Sequence, residues 1–415
     1  MSSAALPFVS RVVGTHAKEI LARDRARAQK LLAGKHPHGP IGVRELRARR
    51  HGHHHGGSSG GGNAPPSGGG GSAPSDSGSG VDVTDAGVTY TASVGVGNPA
   101  TQYTLLIDTG SSNTWVGAGQ KYVKTNTSKS TGARVNVSYG SGQFSGSEFT
   151  DTVTLGPSLV IQNQSIGVAS TAQGFNDVDG ILGIGPVDLT SGTLSTGQPV
   201  PTVTDNLFSQ GTIASDSIGI SYQPTTSDGA VNGELDFGGV DTAKTTSDVA
   251  FVPITSTSPA SQYWGIDQSI SYGDGTTLLD TTAGIVDTGT TLLMIATDAF
   301  KKYESLTGAK LDNTTGLLTI TEQQFENLQS MFFNIGGQQY ELTANAQIWP
   351  RALNSTLGGE EGKIYLVVAD MGTNSGQGLD FIDGFAFLQR FYSVYDTGNS
   401  QIGFATTPFT DATTN

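Results

Sequence analysis

One internal repeat restricts the fold of this chain more than any other feature. Leu105-Leu106-Ile107-Asp108-Thr109-Gly110-Ser111-Ser112 returns as Gly284-Ile285-Val286-Asp287-Thr288-Gly289-Thr290-Thr291, with the two aspartates 179 positions apart. Each copy is an apolar run entering Asp-Thr-Gly, followed by two hydroxyl residues. Each half also holds a second apolar-Gly partner, Gly180-Ile181-Leu182-Gly183-Ile184-Gly185 in the first and Phe381-Ile382-Asp383-Gly384-Phe385 in the second. Two such halves imply a duplicated, two-lobed fold in which each lobe contributes one Asp. A single Asp-Thr-Gly carries little weight, because Asp and Gly are ordinary turn residues. Two aspartates at the ends of apolar strands are a different matter, since a buried carboxylate is expensive unless it is hydrogen-bonded or has chemistry to perform.

Residue types that are missing narrow the chemistry. Cysteine is absent, so disulfides, thiol nucleophiles and Cys-based zinc sites are excluded. All seven histidines lie between His16 and His55, leaving nothing beyond them for a Ser-His-Asp triad or a His-ligated zinc. Acid–base chemistry in the body of the chain therefore falls to carboxylates. Charge divides the chain the same way. Residues 1–56 hold 11 Lys/Arg against 3 Asp/Glu, whereas the remainder holds 11 against 33. A body that acidic is a poor nucleic-acid binder, and no run of apolar residues is long enough to span a membrane.

The chain falls into four parts. Residues 1–50 are basic, and residues 16–33 read as a helix with Ile20, Leu21, Ala28, Leu31 and Leu32 towards one side. The apolar stretch at residues 6–13 is broken by Ser10 and Arg11 and does not read as a signal peptide. Arg47-Ala48-Arg49-Arg50 is a multibasic site of the kind processing proteases cut. Residues 51–80 are His, Gly, Ser and Pro with almost nothing apolar, the composition of a flexible linker. Beyond them, short β-branched and aromatic runs predict strands at residues 88–96, 103–107, 153–169, 218–222 and 394–404. Helices are predicted at residues 297–306 and 321–331. Residues 81–250 and 251–415 are expected to be the two lobes of an all-β body with few short helices.

Asp108 and Asp287, facing one another across a pseudo-two-fold axis, would form a carboxylate pair that cannot ionise fully at low energy. One member then serves as base and the other as acid, so a water between them can lose a proton while the protonated partner polarises a carbonyl. Gly110 and Gly289 allow close backbone approach and offer N–H groups to the carboxylates. Thr109 and Thr288 can cross-link the two loops, and Ser111 and Thr290 stand where an outer carboxylate oxygen accepts a bond. Paired carboxylates also hydrolyse glycosides, but that chemistry leaves the sequence symmetry without a reason.

These motifs, in this order, resemble the pepsin-like aspartic proteases from about Val81 to Phe409, and most of all the cysteine-free polyporopepsin group of wood-rotting fungi. Asp108 to Val116 is similar to the first active-site loop of that family and Ile285 to Thr291 to the second. Val137-Ser138-Tyr139-Gly140-Ser141-Gly142 resembles the flap hairpin, and Phe237 to Asp241 the strand before the second lobe. Tyr263-Trp264 and Val394-Tyr395-Asp396 match further positions. The resemblance implies a two-lobed fold with a central cleft and a secreted or vacuolar endopeptidase. Such an enzyme works in acid without metal or cofactor, and would be a monomer acting on protein and peptide substrates and inhibited by pepstatin. It further implies that Tyr139 caps the substrate and bonds the indole of Trp115, and that Gly140 and Ser141 meet the substrate backbone. Residues 1–50 would be an inhibitory propeptide, with Lys30 or Lys35 reaching the Asp pair. The alternative is a non-catalytic peptide-binding or inhibitor-type relative, against which both intact Asp-Thr-Gly loops and Tyr139 speak.

One position departs from the family pattern. Asp383 stands where an apolar residue is usual, and a third carboxylate there either perturbs the pair or points to solvent. Five Asn-x-Ser/Thr sequons occur, at Asn126, Asn136, Asn163, Asn313 and Asn354. The run Asp177 to Gly180 has a faint calcium-loop character but reads as a turn. The histidines at 51–55 read as linker composition.

Overall fold

The computed structural model describes residues 4–13, 17–34, 87–175, 178–227 and 231–414. The linker with its histidines, Lys35, the multibasic site and Asp177 lie outside these. Among the described residues, the strands form sheets of thirteen, seven and three strands.

Each half is built on the same frame. Thr101–Asp108 runs parallel to Gly180–Gly183, with Asp108 beside Gly183. Thr276–Val286 runs parallel to Phe381–Asp383, with Val286 beside Asp383. In both cases a buried, β-branched strand delivers its Asp to the end of a sheet and into a Gly-containing loop. The sequence repeat is thus a structural one, as expected for a two-lobed all-β fold.

The predicted strands at 88–96, 103–107 and 218–222 correspond to Gly87–Val96, Thr101–Asp108 and Ser217–Tyr222. Two other predicted strands are hairpins. Gln143–Gly156 and Leu159–Gln173 are joined at Pro157-Ser158, because proline cannot donate to the ladder. Phe391–Asp396 and Gln401–Thr406 are joined by Thr397-Gly398-Asn399-Ser400, where Asp396 Oδ1 accepts the N–H of Asn399 at 3.0 Å.

Thr297–Thr307 is helical as predicted and ends at Gly308, whose φ of 66° suits a left-handed cap. The helix predicted over 321–331 starts on its capping box, in which Thr321 and Gln324 exchange side-chain and backbone bonds, but stops at Glu326. Met331, the last residue of that prediction, instead opens the strand Met331–Ile335, which pairs with Gly265–Tyr272 and Gln338–Leu342 and whose Phe332, Phe333 and Ile335 suit a sheet.

The amino-terminal segment joins the body twice. Ala4–Val13 is a strand inserted between Val231–Phe237 and Gly87–Val96, which closes the thirteen-stranded sheet. Sequence reading missed this strand. Ala17–Leu32 is the predicted basic helix, and Ala17, Ile20, Leu21, Ala28 and Leu31 are buried.

Candidate active site

The two Asp-Thr-Gly loops meet, and Asp108 and Asp287 are both fully buried. The threonines lock the loops together. Thr109 N–H donates to Thr288 Oγ1 at 3.0 Å, Thr288 N–H donates to Thr109 Oγ1 at 2.9 Å, and Thr288 Oγ1 donates to the carbonyl of Ile107 at 3.2 Å. Each glycine N–H donates to its own aspartate, Gly110 to Asp108 Oδ1 and Gly289 to Asp287 Oδ1, both at 3.0 Å. The outer oxygens accept hydroxyls, Ser111 Oγ to Asp108 Oδ2 at 2.5 Å and Thr290 Oγ1 to Asp287 Oδ2 at 2.7 Å. Every carboxylate oxygen is thus oriented by a group from its own loop, and the pair presents one common face made of both inner oxygens and the outer oxygen of Asp287.

That face is occupied. Arg27 reaches down from the helix Ala17–Leu32 and bridges the pair. Its Nη2 donates to Asp108 Oδ1 at 2.5 Å and to Asp287 Oδ1 at 2.9 Å, and its Nε donates to Asp287 Oδ2 at 2.6 Å. Burial alone would pull the guanidinium pKa down, but the two carboxylates outweigh it and hold the group above its ordinary value. Arg27 is therefore a permanent cation clamped between two anions.

Lys30, one of the two lysines expected at the pair, is not the bridge. Lys30 donates to the carbonyl of Ser138 in the flap strand, with its pKa lowered to about 8 by burial and by nearby Arg27. Lys35 lies outside the described residues. The missed signal was helical spacing: Arg27 is seven residues beyond Ile20 and four before Leu31, on the buried side, whereas Lys30 is off it.

The rest of the helix is tied to the C-terminal half. Arg23 Nη2 donates to Thr291 Oγ1 at 2.8 Å, and Arg25 pairs with Asp370 at 3.2 Å. Asp24 Oδ2 accepts the N–H groups of Thr291 and Leu292 at 3.1 and 2.9 Å. Burial raises the Asp24 pKa to about 6, against the opposing pull of Arg23 and those two N–H groups.

Over the helix closes the hairpin of Lys129–Ser138 and Gln143–Gly156. Its tip is Tyr139 to Gly142, with Tyr139 N–H donating to the carbonyl of Gly142 at 2.6 Å. A Cβ on Gly140 would lie 2.6 Å from Arg27 Cα, so only glycine lets the flap close on this helix. Ser141 is partly exposed at the same tip. The indole N–H of Trp115 donates to the Tyr139 hydroxyl at 2.9 Å, as the resemblance implied, and Trp115 stacks on Phe144 at 4.1 Å.

Asp383 does not point to solvent. It is fully buried behind the Asp287 loop. Asp179 is structural, accepting the N–H groups of Thr104 and Gln120 at 2.8 and 2.7 Å. Of the five sequons, Asn126, Asn136, Asn163 and Asn313 are exposed. Asn354 is buried with its amide donated to the carbonyls of Glu360 and Lys363, so in the folded chain it has no room for a glycan.

Comparison with known proteins decides the family. The model of the family described as eukaryotic aspartyl protease matches residues 89–407. The chain belongs to the eukaryotic aspartyl proteases. This protease is 62% identical over 337 residues to polyporopepsin of Irpex lacteus, covering 81% of this chain and 99% of that protein. It is 30% identical over 334 residues to pepsin A of Sus scrofa, covering 76% and 80%. The crystal structure of the aspartic proteinase from Irpex lacteus superposes with a TM-score of 0.77 at 63% identity, covering 79% of this protease and 96% of that chain. The protein is thus an aspartic endopeptidase with a two-lobed pepsin-like fold, acting on peptide substrates. Among its described residues, no helix is long and apolar enough to cross a membrane.

Proposed function

We propose that Asp108 and Asp287 are the catalytic pair of this endopeptidase, and that the chain is a latent precursor in which residues 1–50 inhibit the enzyme. The observation that carries both readings is the Arg27 bridge, because one cation engages both carboxylates in the groove where a peptide must lie. Residues 81–250 and 251–415 are the lobes, and residues 51–80 tether the inhibitory segment.

With the helix gone, a water takes the place of the guanidinium between the two inner oxygens. The ionised member of the pair removes its proton as it attacks the scissile carbonyl, and the protonated member donates to the carbonyl oxygen. The tetrahedral diol then collapses with proton transfer to the leaving nitrogen, and no covalent intermediate forms. The frame of Thr109, Thr288, Ser111, Thr290, Gly110 and Gly289 holds both carboxyls in fixed orientation. Tyr139, Gly140 and Ser141 close over the bound peptide, and hydrophobic residues flanking the cut are favoured.

Acid is the trigger. Arg27 is held through its charge by both carboxylates, so acid that neutralises a carboxylate of the pair weakens the attraction and lets the helix leave. The enzyme is secreted or vacuolar and works as a monomer. The test is digestion of denatured protein by the full chain at acid and neutral pH, with and without pepstatin, while its mass is followed. Acid proteolysis blocked by pepstatin and accompanied by loss of the first fifty to eighty residues is the expected result. No cleavage at any pH would instead favour a peptide-binding relative.

A further inference from the structure

We infer that Asp383 is a neutral carboxylic acid, joined to Gln268 in a closed acid–amide ring, and that this ring positions the strand end carrying Asp287. The inference rests on the catalytic role proposed above for Asp287.

The geometry requires a proton. Gln268 Nε2 donates to Asp383 Oδ1 at 3.1 Å, and both side chains are fully buried. Asp383 Oδ2 and Gln268 Oε1 are both buried, and among the described residues neither has a hydrogen-bond partner. An ionised Asp383 would leave these two acceptors unsatisfied, each at the desolvation penalty of a buried polar atom. A proton on Oδ2 turns one acceptor into a donor. It can then be donated to Gln268 Oε1, completing an eight-membered ring of two antiparallel hydrogen bonds and satisfying all four polar positions.

The surroundings offer no cation in its stead. Asp383 pairs with Thr276–Val286 and Leu293–Ile295, touches the uncharged helix Phe385–Leu388, meets Gly265–Tyr272 through Gln268, and lies near Tyr395 of Phe391–Asp396. Asp267 and Asp280 on these strands are exposed. Asp380, three residues earlier, is taken up by Thr282 and the N–H groups of Gly376 and Gln377. Tyr395 is neutral, its pKa raised by burial. Among the described residues, no Lys or Arg pairs with Asp383, and burial lifts its own pKa to about 8.

The ring lies where it can act on Asp287. The Asp383 carbonyl accepts the N–H of Asp287 at 3.2 Å, and Asp383 is aligned with Val286 on one side and Leu293 on the other. Gln268 belongs to the strand on the far side of Thr276–Val286. The ring therefore ties the two neighbours of that strand to one another and fixes the end from which Asp287 projects. As an uncharged acid, Asp383 supplies this hold without placing a third negative charge behind the catalytic pair.

Four full-length chains separate the possibilities: wild type, Asp383→Asn, Asp383→Ala and Gln268→Leu. Asparagine can rebuild the ring with no ionisable proton. Thermal unfolding from about pH 5 to about pH 8 reads the proton directly, since a proton held only by the folded state shifts the unfolding constant about tenfold per pH unit. Because the folded pKa is raised, this support is present at low pH and lost as pH rises towards about 8. Asp383→Asn is expected to remove that part of the pH dependence, and to restore the kcat that Asp383→Ala and Gln268→Leu lose while KM stays near wild type. An unfolding profile for Asp383→Asn that keeps the wild-type slope would overturn the neutral acid. Equal loss of kcat in Asp383→Asn and Asp383→Ala would overturn the ring. The unfolding measurement needs no catalysis, so it stands even where pepstatin-sensitive proteolysis fails to appear.

Discussion

Replacing Arg27 by Gln is expected to release this protease from latency. The guanidinium makes three hydrogen bonds of 2.5 to 2.9 Å to two carboxylates that are fully buried. Removing one partner of a buried ion pair destabilises the arrangement by about 3–5 kcal/mol, because the remaining charge is left in low dielectric. The carboxylates can recover part of this by taking up a proton or a water, so the lower half of the range is the better expectation. About 3 kcal/mol is a little over a hundredfold in the ratio of docked to undocked helix. On the proposal that residues 1–50 inhibit the enzyme, only the undocked form binds pepstatin, and the apparent affinity of the wild-type full chain is then reduced by the small undocked fraction. Arg27→Gln should raise that affinity about a hundredfold at a pH near 6, above the usual carboxylate range. Cleavage of a fluorogenic peptide by the uncut chain should begin at correspondingly higher pH. Arg27→Lys keeps the charge but loses the fork that spans both aspartates, and should fall between the two. Pepstatin affinity in Arg27→Gln equal to wild type would refute the reasoning, since the bridge would then contribute nothing to docking.

Asp108→Asn or Asp287→Asn should abolish cleavage by chains whose first fifty residues have been removed in trans, with the fold retained by circular dichroism; near-native activity in either would sink the two-carboxylate mechanism. In the docked chain these substitutions should also loosen the helix, because each removes part of the Arg27 bridge. Asp24→Asn should deepen latency near neutral pH and move activation to lower pH. Burial raises the docked Asp24 pKa to about 6, so the contribution of Asp24 to docking is present below its free value and lost as pH rises through about 6. An amide avoids that loss, worth about 1–3 kcal/mol at neutral pH, and mass-spectrometric timing of self-cleavage across a pH series checks it. Tyr139→Phe leaves the buried Trp115 N–H without its acceptor, which should lower melting stability by about 1–3 kcal/mol and reduce kcat/KM through a looser flap; unchanged values on both counts would mean the bond does not order the flap.

Much of this protein was legible from residue order alone. The repeated Asp-Thr-Gly context gave two lobes and one aspartate from each, because an apolar strand ending in a carboxylate is rare enough for two copies to be informative. The absence of Cys and of His beyond residue 55 left carboxylates as the chemistry. The roles of Thr109, Thr288, Gly110, Gly289, Ser111 and Thr290 followed from short-range spacing, since each sits one to three residues from its aspartate. Strand boundaries at 157–158 and 397–400 were blurred, because a turn of two to four residues interrupts an apolar run only slightly.

Long-range pairings were decided by the tertiary structure. Ala4–Val13 reads as an unremarkable apolar stretch until Val231–Phe237 and Gly87–Val96 open a gap of strand width beside it. The predicted helix ran on to Met331, yet Met331 pairs with Tyr272 and with Leu342 and so begins a strand. Arg27 was hidden among eight arginines of the first fifty residues. Charge marked that segment as a partner for the acidic body, but only the packing of Ile20, Ala28 and Leu31 sets the helix rotation, and that rotation brings Arg27 to both aspartates. Asp383 shows the same limit most sharply: its sequence position marks it as unusual, while its protonation depends on Gln268, 115 residues away. Local order specifies which chemistry a chain can hold, and burial against distant residues specifies which charges survive there, because desolvation depends on everything that surrounds a group and not on its neighbours in the chain.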